Sequence, residues 1–156
     1  MVSTKILIKS HLAEYIKGKY NDCNDTVVSF PSNSDIYVMI FDLMSKRPAD
    51  RQTDSGNLEI NLPNRREGKN PAYFNYMSNR AVAIFERKVE TLFWADLHEF
   101  VDHQRTTYGE EIMNSTFIFM NKYNIESISV DALLKNYQRW KDRVRKKSKK
   151  RAYKKC

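Results

Sequence analysis

His98, Glu99, Asp102 and His103 crowd four groups able to handle protons or metals into six residues of the 156-residue chain. Their spacing limits what they can do. In HEFVDH the histidines are five apart, about 140° around a helix, so they do not share one face as the pair in HExxH does. His98–Asp102 and Glu99–His103 are each four apart, which suits pairing along a helix surface. Asp50 and Glu59 have the order of the acidic pair in magnesium-dependent nucleases that follow an Asp with Glu-x-Lys, but Asn61 stands where the lysine belongs. None of the four glycines opens a GK[ST] phosphate loop. Cys23 and Cys156 lie far apart and form no CxxC pair, which favours a reducing compartment, and neither has a histidine beside it in sequence to make it a nucleophile. No catalytic residue, metal site or cofactor is expected.

The chemistry with most support is electrostatic. The chain carries a formal +8, yet residues 135–155 hold twelve Lys or Arg and a single acid, Asp142, a local +11 that leaves the remainder at −3. A clustered field attracts a polyanion, whereas dispersed charge would only aid solubility. A solvated helix face with a solubility tail is the competing account, but twelve cations in 21 residues exceed what solubility needs. Tyr137, Trp140 and Tyr153 interleave with these cations. A smaller cluster, Arg65, Arg66 and Lys69, precedes Asn70-Pro71. Backbone N–H groups of residues 72–74 at an expected helix start would add a secondary phosphate contact there.

The elements that must position these groups are mainly helical. Apolar content of 41% and aromatic content of 12% suffice for a core, and four Gly with four Pro are too few for an all-β sandwich. Residues 4–20 read as a first helix, with Leu7, Ile8, Leu12, Tyr15 and Ile16 on its stripe. Thr26–Phe30 favours β structure, and Ser34 or Asp35 caps a helix to about Ser45. Leu58, Ile60 and Leu62 alternate with polar residues as a half-buried strand, which could pair with residues 26–30. Asn70-Pro71 has the form of a helix start, and no Gly or Pro interrupts the run to Gln104. That long helix is expected to be a central spine or, over 71–104, a homodimer element. Two shorter helices follow, from about Glu110 to Lys122 and from Ser129 to about Lys147, before a fraying tail.

In the last helix Leu133, Tyr137, Trp140 and Val144 form one apolar stripe, with Trp140 expected in the core. Cations occupy most of the other side. A short helix, a tight connection and a Ser-capped basic helix have the layout of a helix-turn-helix. Asn136, Arg139 and Arg143 would then read base edges, Lys135, Lys146 and Lys147 would meet phosphates, and Lys149, Lys150 and Arg151 would follow the backbone as an arm. The stretch FMNKYNIESISVDALLKNYQRWKDRVRKK resembles the helix-turn-helix ends of small DNA-binding proteins from phages and mobile elements. It covers about a fifth of the chain and has no glycine in its turn.

The expected fold is therefore α+β and mainly α: a long central helix, a minor two-stranded β-ribbon and a C-terminal helix-turn-helix with a basic tail. The expected divisions are a body over 1–108, a basic module over 109–148 and a flexible tail over 149–156. The expected function is non-enzymatic binding of duplex DNA, in transcription control or in phage or mobile-element replication. RNA binding, a scaffold with an acidic protein partner and a cryptic Mg-dependent nuclease are the alternatives. Neither a signal peptide nor a membrane span is legible, so a cytoplasmic protein, nucleoid-associated if bacterial, is expected.

Overall fold

The computed structural model describes residues 2–21, 25–50 and 54–154, so both cysteines lie outside the described residues. The order of elements is β1 (Ser3–Ile6), α1 (Ser10–Tyr20), α2 (Asp35–Leu43), β2 (Leu58–Asn61), α3 (Asn79–Tyr108), α4 (Ile112–Lys122) and α5 (Val130–Lys154). The fold is α+β and mainly α, with one two-stranded antiparallel sheet. Two compact units divide the chain, residues 1–93 and 94–156, and α3 contributes its first half to one and its second half to the other. Among the described residues no helix is long and apolar enough to cross a membrane.

Unit 1 corrects the expected first helix. Residues 3–6 form a strand, with Thr4 opposite Ile60 and Ile6 opposite Leu58. Thr4, Ile6 and Ile8 are buried while Lys5 and Leu7 are exposed, a period of two that the strand pairing selects over the helical stripe. The strand is extended by a side chain: Asn57 Nδ2 donates to the Ile8 carbonyl at 2.7 Å, and Ile8 N donates to Asn57 Oδ1 at 3.1 Å. Gly56 sits where the chain passes β1 so closely that a Cβ would lie 2.1 Å from the Ile6 carbonyl oxygen.

The expected partner of β2, residues 26–30, supplies only a bridge. Val28 pairs in parallel with Ile60, through Val28 N to Glu59 O and Asn61 N to Val28 O, while β1 makes the ladder. Ser34 caps α2 as its sequence implies, accepting from Tyr37 N. The helix expected from Asn70-Pro71 starts at Asn79 instead. Asn70 accepts from the N–H groups of Ala72, Tyr73 and Phe74 and closes a single turn, after which Tyr76 pairs with Ser45 as an antiparallel bridge. That extended pairing is incompatible with helix, so α3 waits for Ser78, whose Oγ accepts from Ala81 N.

The core of unit 1 packs Leu12, Tyr15 and Ile16 of α1, Ile36 and Ile40 of α2, Leu58 and Ile60 of β2, and Phe85, Val89 and Phe93 of α3. Tyr15 meets the Phe93 ring edge-on at 5.2 Å, a favoured aromatic geometry. Leu97 and Val101 continue the α3 stripe into the core of unit 2.

One ionic cluster ties the loop after α2 to β1. Arg47 forms a two-pronged pair with Asp54 at 2.8 and 2.6 Å, and Thr4 Oγ1 donates to the same carboxylate at 2.7 Å. The Arg47 hydrogen bonds hold the Asp54 carboxyl below its ordinary range. Asp54→Asn is expected to cost about 1–3 kcal/mol, the value of hydrogen bonds to a charged, partly buried group. Urea denaturation checks it. In the parent this stabilisation is present above the unfolded carboxyl pKa of 3.8 and is lost as pH falls below it, whereas the variant lacks the dependence.

Candidate nucleic-acid interface

The basic helix belongs to unit 2, and its entry is defined by local signals. α4 ends with Asn124 in the left-handed region at φ 52°. Ile125 N donates to Met120 O at 2.9 Å and Asn124 N to Asn121 O at 3.3 Å, the paired bonds of a Schellman ending. Asparagine fills the role that glycine usually takes. Ser129 Oγ then accepts from Ala132 N to cap α5, with Asp131 in the favourable first turn. Seven residues, 123–129, join the helices, more than the three or four usual in a helix-turn-helix.

The first half of α5 is anchored. Leu133 and Tyr137 are buried, the latter only 1% exposed. Tyr137 OH donates to Asp102 Oδ1 at 2.5 Å and accepts from Arg105 at 3.3 Å, and Lys141 forms an ion pair with Asp102 at 3.0 Å. One turn earlier on α3, His98 donates through Nε2 to Asn136 Oδ1 at 2.7 Å and stacks on Trp140 at 4.5 Å with an interplanar angle of 12°. His98 and Asp102 thus find partners on α5, while His103 remains on the surface, its Nδ1 3.4 Å from Thr107 Oγ1. Trp140, expected in the core, is half-buried on the His98 ring.

Beyond Lys141 the helix is exposed on every side through Tyr153. Even Val144, the last member of the apolar stripe, is 39% exposed. The expected fraying after Lys147 does not occur: α5 runs through Ser148–Arg151 to Lys154. The segment lacks Gly and Pro, is rich in good helix formers, and places its cations at the end where the helix dipole favours them. Val144, Arg145, Ser148 and Lys149 border an open groove of about 690 Å³ against Arg105, Thr106 and Glu110.

Lys135, Arg139, Arg143, Lys146, Lys147, Lys149, Lys150 and Arg151 all lie exposed on α5. Asn136 differs, because its amide is engaged with His98. The secondary cluster sits in unit 1. Arg65 lies over the rings of Tyr37 and Phe41 at 5.8 and 5.4 Å, Lys69 Nζ donates to Asp42 O at 2.6 Å, and Arg66 is exposed. The N–H groups of residues 72–74 expected to greet a phosphate are taken by Asn70. Asp50 is exposed and Glu59 accepts from Ser3 Oγ at 2.7 Å. Among the described residues no three His, Cys, Asp or Glu side chains converge as a metal site requires. What sequence reading missed is the His98–Asn136–Trp140 and Asp102–Tyr137–Lys141 pairing, for which helical spacing gives no signal.

Burial lowers the His98 pKa from its ordinary 6.5, and the nearby Arg143 charge lowers it further. The native state therefore binds its proton less readily than the unfolded chain, so stability is present above pH 6.5 and is lost as pH falls below it. Urea midpoints should drop between pH 7.5 and 5.5, by less in His98→Gln than in the parent. Equal drops in both proteins would contradict this assignment. His11, whose pKa is also lowered by burial, contributes alike in both.

No protein family, no curated protein and no solved structure matches the chain.

Proposed function

We propose that the chain binds duplex DNA by laying the exposed half of α5 in the major groove. The observation that carries this is a continuous helix, free on all sides from Asp142 to Tyr153, with cations around most of its circumference. At about 100° per residue, the arc from Arg145 round to Arg151 spans about 240°. Only Val144, Ser148 and Ala152 fill the remainder. A flat acidic surface meets at most half of such a helix, whereas a groove offers phosphates on both walls. The major groove of B-DNA, about 12 Å wide, admits an α-helix, while that of A-form RNA is deep and narrow. An interfacial membrane helix needs a broad apolar face, and Val144, Ser148 and Ala152 do not provide one.

Arg139 and Arg143 bring the guanidinium groups suited to guanine edges, and the lysines of 146–150 bring point charges suited to phosphate. Anchoring through Tyr137 and Lys141 holds the helix base while its basic half enters the groove. The Arg65, Arg66 and Lys69 cluster of unit 1 is a secondary phosphate contact in this reading, now through side chains alone.

Fluorescence anisotropy with duplex DNA, single-stranded DNA and duplex RNA tests the proposal across salt concentrations. Duplex DNA should bind tightest, with a log–log salt slope of about −5 if six phosphates are neutralised. A chain ending at Asp142 should lose binding. Ser148→Pro keeps every charge but removes a helical N–H and clashes with the Val144 carbonyl, so it should weaken duplex binding at least about tenfold. Unchanged affinity of that variant would leave a polycationic tail in place of a groove-binding helix. Tighter binding of RNA would move the reading to RNA, and flat curves for all three ligands would leave the cations to an acidic protein.

A further inference from the structure

α4 turns Ser115, Thr116 and Phe119 inward and leaves Met113, Phe117 and Ile118 exposed by 50%, 48% and 41%. From Ile112 to Asn121 it has no ionisable side chain, within a unit that carries fourteen Lys or Arg against eight Asp or Glu. At about 100° per residue, Met113, Phe117, Asn121, Asn114 and Ile118 fall within about 140° of the helix surface. Three large apolar side chains gathered on one such face form a small apolar patch, of a size to add to another contact and too small to hold a partner by itself.

The inner exposed residues read alike in either direction, while Met113 at the edge has Lys122 as its counterpart. About a point between Phe117 and Ile118, Phe117 is matched by Ile118 and Asn114 by Asn121. Two such helices crossing antiparallel would bring apolar side chain to apolar side chain and amide to amide, the self-complementary arrangement of a two-fold contact. We propose that this face of α4 receives the same face of a second copy of the chain when both copies lie on one DNA duplex. A charged partner gains nothing from a neutral face, while a second copy meets its own complement there.

The contact is too small to act alone. An eleven-residue helix is about 16 Å long, and one face of it covers far less than the roughly 800 Å² per partner of a standard interface. Two copies of a unit with this excess of cations also repel each other. DNA removes both obstacles: its phosphates neutralise the like charges, and a shared duplex raises the effective concentration of the second copy to the order of millimolar. The inference rests on the DNA-binding reading for this tether. It places the self-association surface on α4; on α3, Phe85, Val89, Phe93, Leu97 and Val101 are buried inside the chain.

The test titrates the full chain onto a duplex long enough for one copy and onto one long enough for two. The parent should bind the longer duplex with a Hill coefficient above one. Phe117→Glu alone, and Ile118→Lys alone, should bind it without cooperativity while keeping short-duplex affinity within about threefold, since one rim charge shifts only the electrostatic share. An equimolar mixture of the two variants should regain cooperativity, because the carboxylate of one copy then faces the ammonium of the other. Non-cooperative binding by the parent, or equal Hill coefficients in parent and Phe117→Glu, would overturn the α4 contact and leave the DNA reading standing. If no duplex binds at all, the DNA reading falls, and the shared-duplex contact that rests on it falls too.

Discussion

The carboxylate of Asp102 takes the Tyr137 hydroxyl at 2.5 Å and the Lys141 ammonium at 3.0 Å, two groups one turn apart on α5. Because a helix is stiff, fixing the rotation of one turn fixes the rotation of all of them. With Tyr137 inward, Leu133 and Trp140 follow it onto α3 and α4, and Lys135, Arg139 and Arg143 must face out. The His98–Trp140 stack and the His98–Asn136 bond lock the same turn from its other side. Asp102 keeps one donor if the other is removed, so the Tyr137 and Lys141 contacts back each other up in fixing this turn.

The second half of α5 lives under a different balance. It is exposed on every side, so chiefly local terms hold it helical: good propensities, no Gly or Pro, and cations at the favourable end of the dipole. Against these stand like charges four residues apart, such as Arg143–Lys147, Lys146–Lys150 and Lys147–Arg151, each costing roughly 0.2–0.5 kcal/mol. An unpacked, self-repelling helix belongs to the low-stability end of a native structure. Phosphates set along it, as the proposed DNA contact would set them, would remove the repulsion while leaving the favourable terms in place. The exposed α4 face carries no charge, within a unit that has an excess of cations.

Local signals carried far in this chain. Ser34 and Ser129 mark their helix starts, Leu58–Ile60 alternates as a strand, and α4 and α5 end and begin within two residues of where their side-chain chemistry places them. The failures share one cause. Thr4–Ile8 fits a helical stripe as well as a strand, and the choice is made by Glu59 and Ile60 some 55 residues away. Asn70-Pro71 is a valid helix start that Tyr76 stops by pairing with Ser45. In both places a distant backbone partner outweighs a local preference.

By itself the sequence determined the separation of charge, the mainly helical class and the existence of a basic helix with an apolar first half, because these follow from composition and from a period of 3.6 residues. Only the tertiary structure decided that α5 breaks free of its packing at Lys141, that Asn136 faces His98, and that Met113, Phe117 and Ile118 stay uncovered on α4. Which face of a helix is covered, and where cover ends, depends on the reach of other elements. A residue pair such as His98 and Asn136, 38 positions apart, has no periodicity to announce it.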